Sequence, residues 1–142
     1  MSGVPLRNRN LSSYEFYTQA VELRIAVLTL VSGSVIPKSR RFTFAVPLAE
    51  SARSVVYNIV RADAFYPNTE DAVTMRKRYL TLAIADVEQV VQDFQAYAEL
   101  YRRLNGEQHA HRFAMTCELC EREIELLKGA RKNVRLIGKR KE

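Results

Sequence analysis

Asn68–Gly106 is the stretch that most constrains how this chain can fold. Leu80, Ile84, Val87, Val91, Phe94, Ala98 and Tyr101 follow one another at steps of four and three. Such a heptad seam keeps one helical face turned toward a neighbour. Ala83, Val90, Tyr97 and Leu104 form a second seam beside it. Two adjacent seams make an apolar face too broad for one partner, so the helix must touch at least two others. Asn68 and Thr69 can cap its start, and Glu70 and Asp71 suit the positive end of the helix dipole. Asn105-Gly106 supplies a left-handed stop. A helix of this length spans ~50 Å at ~1.5 Å per residue, and shorter elements must line up along it.

The rest of the chain supplies three candidates. Ser12 followed by Glu15 reads as a capping box, which predicts a first helix over 12–32. Tyr14, Tyr17, Val21, Ile25, Leu28 and Val31 or Ser32 mark one face of it, and Leu23, Val27 and Leu30 lie on another. A helix apolar nearly all round is buried on more than one side, so Leu23, Val27 and Leu30 are expected at an oligomer interface. Val35–Arg41 reads as a loop, because Pro37 keeps Ile36 out of the helical region. A second helix is expected over 44–66, starting at Thr43 or Phe44, with Pro47 in its first turn and Pro67 barring continuation. Leu48, Ala52, Val55, Ile59 and Ala62 form its inner face, extended by Val56, Val60 and Phe65. The fourth helix is expected over 107–128, on a seam of Phe113, Cys117, Cys120, Ile124 and Leu127, with a basic tail over 129–142. The chain of 142 residues is one domain's worth. With four short-linked helices and few Gly or Pro, the reading is an all-α, antiparallel up-down-up-down four-helix bundle.

Charge is unevenly placed. The last fifteen residues hold seven basic residues and one acid, which by itself equals the whole chain's net charge of +6. Such a tail suggests a polyanion or an acidic protein surface as partner, against the alternative of a solvated end. Met1–Asn10 is polar and carries no apolar leader. Val21–Val31 contains Glu22 and Arg24 and is too short to span a bilayer. A cytoplasmic protein with no membrane partner is expected.

Little in the sequence speaks for catalysis. There is no Gly-rich phosphate loop, no Gly-x-Ser-x-Gly elbow and no His-Glu-x-x-His, so no catalytic residue is assigned and a non-enzyme is expected. Cys117-x-x-Cys120 could supply half a zinc site, with only His109 and His111 to complete it. The spacing matches no common finger, and both cysteines lie on an apolar seam. They are expected as buried thiols, with no metal and no cofactor. Di-iron bundles use Glu-x-x-His pairs, which His109 and His111 lack. Glu118, Glu121, Glu123 and Glu125 read as a solvated face around Arg122.

Three basic groups remain as candidate contacts for nucleic acid or a partner. They are Lys38, Arg40 and Arg41 in the first loop; Arg76, Lys77 and Arg78 early in the long helix; and Lys128, Arg131, Lys132, Arg135, Lys139, Arg140 and Lys141 in the tail. Bundle topology puts the second and third groups at one end and the first at the other. Asn58, in the apolar turn Val55–Val60, is open to two readings: a polar group bonded within the bundle, or a device that sets subunit register.

Pro37-Lys-Ser-Arg-Arg-Phe42 and Tyr57-Asn-Ile-Val-Arg-Ala62 carry a resemblance. A Pro-Lys-Ser-x-Arg-Phe loop between the first two helices, and an Asn-Ile-x-x-Ala segment in the second, resemble the superfamily of small four-helix bundles named after the S23 protein. That protein is encoded within intervening sequences of bacterial 23S ribosomal RNA genes. The superfamily includes Avd, the accessory variability determinant of diversity-generating retroelements. The resemblance covers roughly Tyr14 to Leu104 and leaves out the tail. It implies a homopentameric ring of bundles with a basic surface. It also implies a non-catalytic accessory role: binding a reverse transcriptase and RNA or DNA, in support of mutagenic cDNA synthesis. The alternative is an S23-type protein associated with ribosomal RNA intervening sequences, RNA-binding or purely structural, with no polymerase partner.

Overall fold

Every regular element among the described residues is helical. The computed structural model describes residues 11–33, 36–105 and 110–137. Its principal elements are α1 (Glu15–Ser32), α2 (Val46–Asp63), α3 (Glu70–Asn105) and α4 (Ala110–Lys132). Helix α1 packs on α2 and α4, and α3 packs on the same two. The four therefore surround one core, consistent with a four-helix bundle.

Helix α3 is the spine. Thr69 Oγ1 accepts the Ala72 N–H at 3.1 Å and caps its start. Leu80, Ile84, Val87 and Phe94 of the first seam are buried, and so are Ala83, Val90 and Tyr97 of the second. Val91, Ala98 and Tyr101 are half-buried against the same core. This two-seam face lets α3 pack on α2 and α4 at once.

Helix α2 is shorter than the pattern suggested, at both ends. Lys38–Arg40 forms a 3-10 turn and Arg41–Ala45 a π turn, so regular α-helix begins only at Val46, with Pro47 in its first turn. The π turn leaves Phe42 exposed while Phe44 and Ala45 are buried. At the other end the Arg76 guanidinium donates to the carbonyls of Phe65, at 3.1 Å, and Ala62, at 3.5 Å. These are carbonyls that a helix C-terminus leaves unsatisfied. The helix ends at Asp63, ahead of Pro67.

Helix α1 departs from expectation in two ways. It starts at Glu15, after a separate 3-10 turn over Leu11–Ser13, and its N-cap is Tyr14 in extended conformation with no side-chain cap bond. The expected capping box is therefore not the entry. Leu11 is buried in the end of the core, and Glu15 pairs with Arg122 of α4. The two apolar faces are also exchanged. Leu23, Val27 and Leu30 are buried in the chain's own core with Tyr17 and Ala20, so they are not available to a second subunit. Ile25 and Leu28 are 51% and 41% exposed. The inner face is a stripe of steps of three and four, Tyr17, Ala20, Leu23, Val27 and Leu30.

Helix α4 holds a further correction. Its buried line is Phe113, Thr116, Cys120, Glu123 and Leu127, with Cys117 and Ile124 half-buried beside it. Glu123 occupies a heptad core position rather than the solvated face expected for all four glutamates. Its three neighbours Glu118, Glu121 and Glu125 are exposed.

The two ends of the assembly differ. At one, Phe44, Phe94, Tyr97 and Phe113 form an aromatic cluster: Phe44 stacks on Tyr97 at 4.1 Å, and Phe113 meets Phe94 and Tyr97 at 5.8 Å each. At the other, the chain after α4 turns at Asn133 and meets the α2–α3 connection, where the Ile137 N–H donates to Pro67 O at 2.7 Å.

Candidate nucleic-acid interface

The cationic groups separate by end. Lys38, Arg40 and Arg41 belong to the turns that lead into Phe44, and Arg40 lies close enough to Tyr97 to favour its ionised form. This places them at the aromatic end. Burial dominates at Tyr97 and still pushes its phenol above the usual value.

The other two groups meet. Arg131, in the last turn of α4, donates to Thr81 Oγ1 of α3 at 3.1 Å, and Thr81 donates in turn to the Lys77 carbonyl at 3.0 Å. One turn therefore separates Lys77 from the α4 contact. Lys77, Arg78, Lys128, Lys132 and Arg135 are all exposed around it. The segment Val134–Ile137, pinned on Pro67, carries Arg135 to the mouth of a cleft of about 710 Å³ that Arg76, Leu80 and Leu11 also line. The Arg131 contact joins the last turn of α4 to Thr81, in the first third of α3. Lys139, Arg140 and Lys141 lie outside the described residues.

Not every cation there is equally available. Arg76 is only 18% exposed and faces Asp63 at 3.7 Å in addition to its two carbonyls. It holds α2 to α3 and has little left for a phosphate. Lys128 approaches Glu125 at 4.0 Å, a surface contact too weak to fix it. Arg102 and Arg103, further along α3, both pair with Glu99, whose carboxyl they hold down to about 2. The five exposed cations Lys77, Arg78, Lys128, Lys132 and Arg135 near Arg131 can meet several phosphates of one strand by charge alone.

The residues singled out for other chemistry fall elsewhere. Cys117 and Cys120 are free thiols, the first half-buried and the second buried. Desolvation raises both, Cys120 to about 12, so neither is a ready nucleophile or ligand. Among the described residues no three His, Cys, Asp or Glu side chains come together as a metal site. His109 and the side chain of His111 lie outside what the structure describes. Asn58 donates to Asp86 of α3 at 2.7 Å and accepts from Arg61 at 3.0 Å. It is bonded within the bundle, in the first of its two readings. No helix among the described residues is long and apolar enough to cross a membrane.

Sequence reasoning overlooked two features. One is Glu123, whose position midway between Cys120 and Leu127 on the 3-4 repeat was a legible signal that its charge masked. The other is Tyr57, with the guanidinium of Arg53 at 4.7 Å from its ring centroid and that of Arg24 at 5.7 Å. The Arg53–Tyr57 pair was readable as an i,i+4 spacing on α2, whereas no pattern within a single helix reveals the approach of Arg24 from α1. Comparison with protein families, with curated proteins and with solved structures returns no match for this chain.

Proposed function

We propose that this chain is a non-catalytic accessory subunit that binds a reverse transcriptase and nucleic acid in a diversity-generating retroelement and supports mutagenic cDNA synthesis. The motifs at residues 37–42 and 57–62 motivate the polymerase. The observation that carries the nucleic-acid part is the Arg131–Thr81 contact, which joins α4 to α3 among the exposed cations of both. In this reading the helices run antiparallel, up-down-up-down. In support, Phe44 of the turn that leads into α2 and Phe113, early in α4, both meet Tyr97, late in α3. The chain assembles as a homopentameric ring in the cytoplasm. The apolar strip left exposed on α1 supports assembly, with Ile25 and Leu28 replacing Leu23, Val27 and Leu30 at the boundary.

The test is co-expression of the tagged chain with a retroelement reverse transcriptase and its template RNA. Retention of both on the tagged chain, with cDNA made only in its presence, is the expected result. RNA retained without polymerase, and cDNA yield indifferent to the chain, would favour the S23-type reading. Retention of neither would defeat both.

A further inference from the structure

Helices α1 and α2 leave a groove whose rim is apolar and whose flanks are cationic. Ile25 and Leu28 from α1 and Tyr57 and Val60 from α2 all stand at least 36% exposed around it. Arg24 and Arg61 line the same groove. Arg53 joins them at the Tyr57 ring, so two of the three guanidinium groups lie within cation–π distance of one aromatic ring. An apolar strip of this kind on a small domain marks a docking surface, and the arginines select an acidic occupant.

Such an occupant exists on α4. Met115, 59% exposed, stands on successive turns with the exposed glutamates Glu118, Glu121 and Glu125. Arg122, the cation among them, is engaged by Glu15 of α1. Glu125 lies 4.0 Å from Lys128 of the basic end, so the ridge offers an apolar knob followed by the two carboxylates Glu118 and Glu121, against an apolar groove in which Arg24, Arg53 and Arg61 outnumber Asp63 of the lining and Glu50, 3.7 Å from Arg53. We propose that the α4 ridge of one copy docks in the α1–α2 groove of the next. The inference rests on the ring assembly proposed above and names its two surfaces. When the ridge-in-groove contact is made once per pair of copies it is heterologous: each docked copy leaves one groove and one ridge free, and growth ends only when the ring closes. The basic end around Arg131 takes no part and stays open to nucleic acid.

Charge swapping tests this. One variant carries Arg24→Glu and Arg53→Glu, a second carries Glu118→Arg and Glu121→Arg, and a third carries all four changes. Light scattering gives the mass, and far-UV circular dichroism confirms that each remains helical. The parent chain is expected at a multiple of 16.3 kDa, both half-swapped variants at the monomer mass, and the fully swapped chain at the parent's multiple again. Half-swapped variants that assemble like the parent would overturn the proposal while leaving the ring reading intact. So would a fully swapped chain that is helical yet monomeric. A parent chain that is monomeric at every concentration would overturn both.

Discussion

Glu123 is the residue at which this fold is most exposed to pH. It is 0% exposed, and neither carboxyl oxygen has a hydrogen-bond partner. Burial alone pushes it up to about 9, because nothing replaces the water that its ionised form would lose. The folded chain therefore holds Glu123 protonated at neutral pH. The unfolded chain ionises it near the ordinary value of 4.5. With the folded value raised, the contribution of Glu123 to native-state stability is greatest below about 4.5, falls as pH rises toward about 9, and levels off above it. The slope is at most about 1.4 kcal/mol per pH unit. Urea melts of Glu123→Leu and the parent at about pH 6 and about pH 8.5 check this: the variant should be the more stable, and its advantage should widen with pH. An advantage that stays constant would mean that Glu123 does not titrate in this interval. Arg76 presents the opposite case, a charged group fully used. Replacing it by Ala strips the end of α2 of its donor and should cost about 1–3 kcal/mol, whereas Lys77→Ala should cost under about 0.5 kcal/mol. Comparable losses in thermal melts would show that Arg76 is not holding α2 to α3.

Helix by helix, stability depends on how well each 3-4 stripe is filled, and α4 is the least well filled. Gly129 lies inside it, and a Cβ added there meets nothing within 4 Å. Gly129→Ala should therefore stabilise by about 0.5–1 kcal/mol, through helix propensity alone. Phe94, fully buried among the aromatic rings, marks the other extreme, and Phe94→Ala should cost about 3–5 kcal/mol. Denaturant midpoints check both. The same stripes explain what could be read from the sequence. Helices α2 and α3 were legible because large aliphatic residues fill one face and charged residues the other. The α1 stripe was not, because Ala20 carries little hydrophobic weight while Ile25 and Leu28 carry much, so periodicity alone picked the outer face. The entry to α2 escaped prediction because a π turn inserts an extra residue and shifts the phase between Phe42 and Phe44. In α4, Thr116 and Glu123 are polar residues in core positions, legible from the spacing of Phe113, Cys120 and Leu127 but not from hydrophobicity. The basic clusters of the candidate interface were legible as charge runs. Which of their members is spent on structure was not, because the partners of Arg76 lie eleven and more residues away in sequence.

At the scale of the whole molecule the charge has two ends and one working face. The aromatic end carries Lys38, Arg40 and Arg41, and the other carries Lys77, Arg78, Lys128, Arg131, Lys132 and Arg135, where the Arg131–Thr81 bond joins α4 to α3. If the second end binds a single strand, the binding is electrostatic and nearly blind to sequence. Each neutralised phosphate releases counterions, so log K falls with log salt at a slope of about −0.7 per contact for single strands. Three to five simultaneous contacts give about −2 to −3.5. Replacing Arg131, Lys132 and Arg135 by Ala should weaken binding and flatten that slope together. A helical and cooperative melt should persist, because Lys132 and Arg135 are exposed and Arg131 gives up only a surface hydrogen bond. The matching change at the aromatic end, Lys38→Ala with Arg40→Ala and Arg41→Ala, should leave the slope unchanged. That second variant has the same nominal charge loss, so it separates a local contact from an effect of net charge. Fluorescence anisotropy of a labelled single-stranded RNA across a salt series measures all three proteins. Equal flattening by both triple substitutions would mean that the chain attracts RNA through its overall charge and has no basic face. No flattening by the first would remove the Arg131 end from the interface.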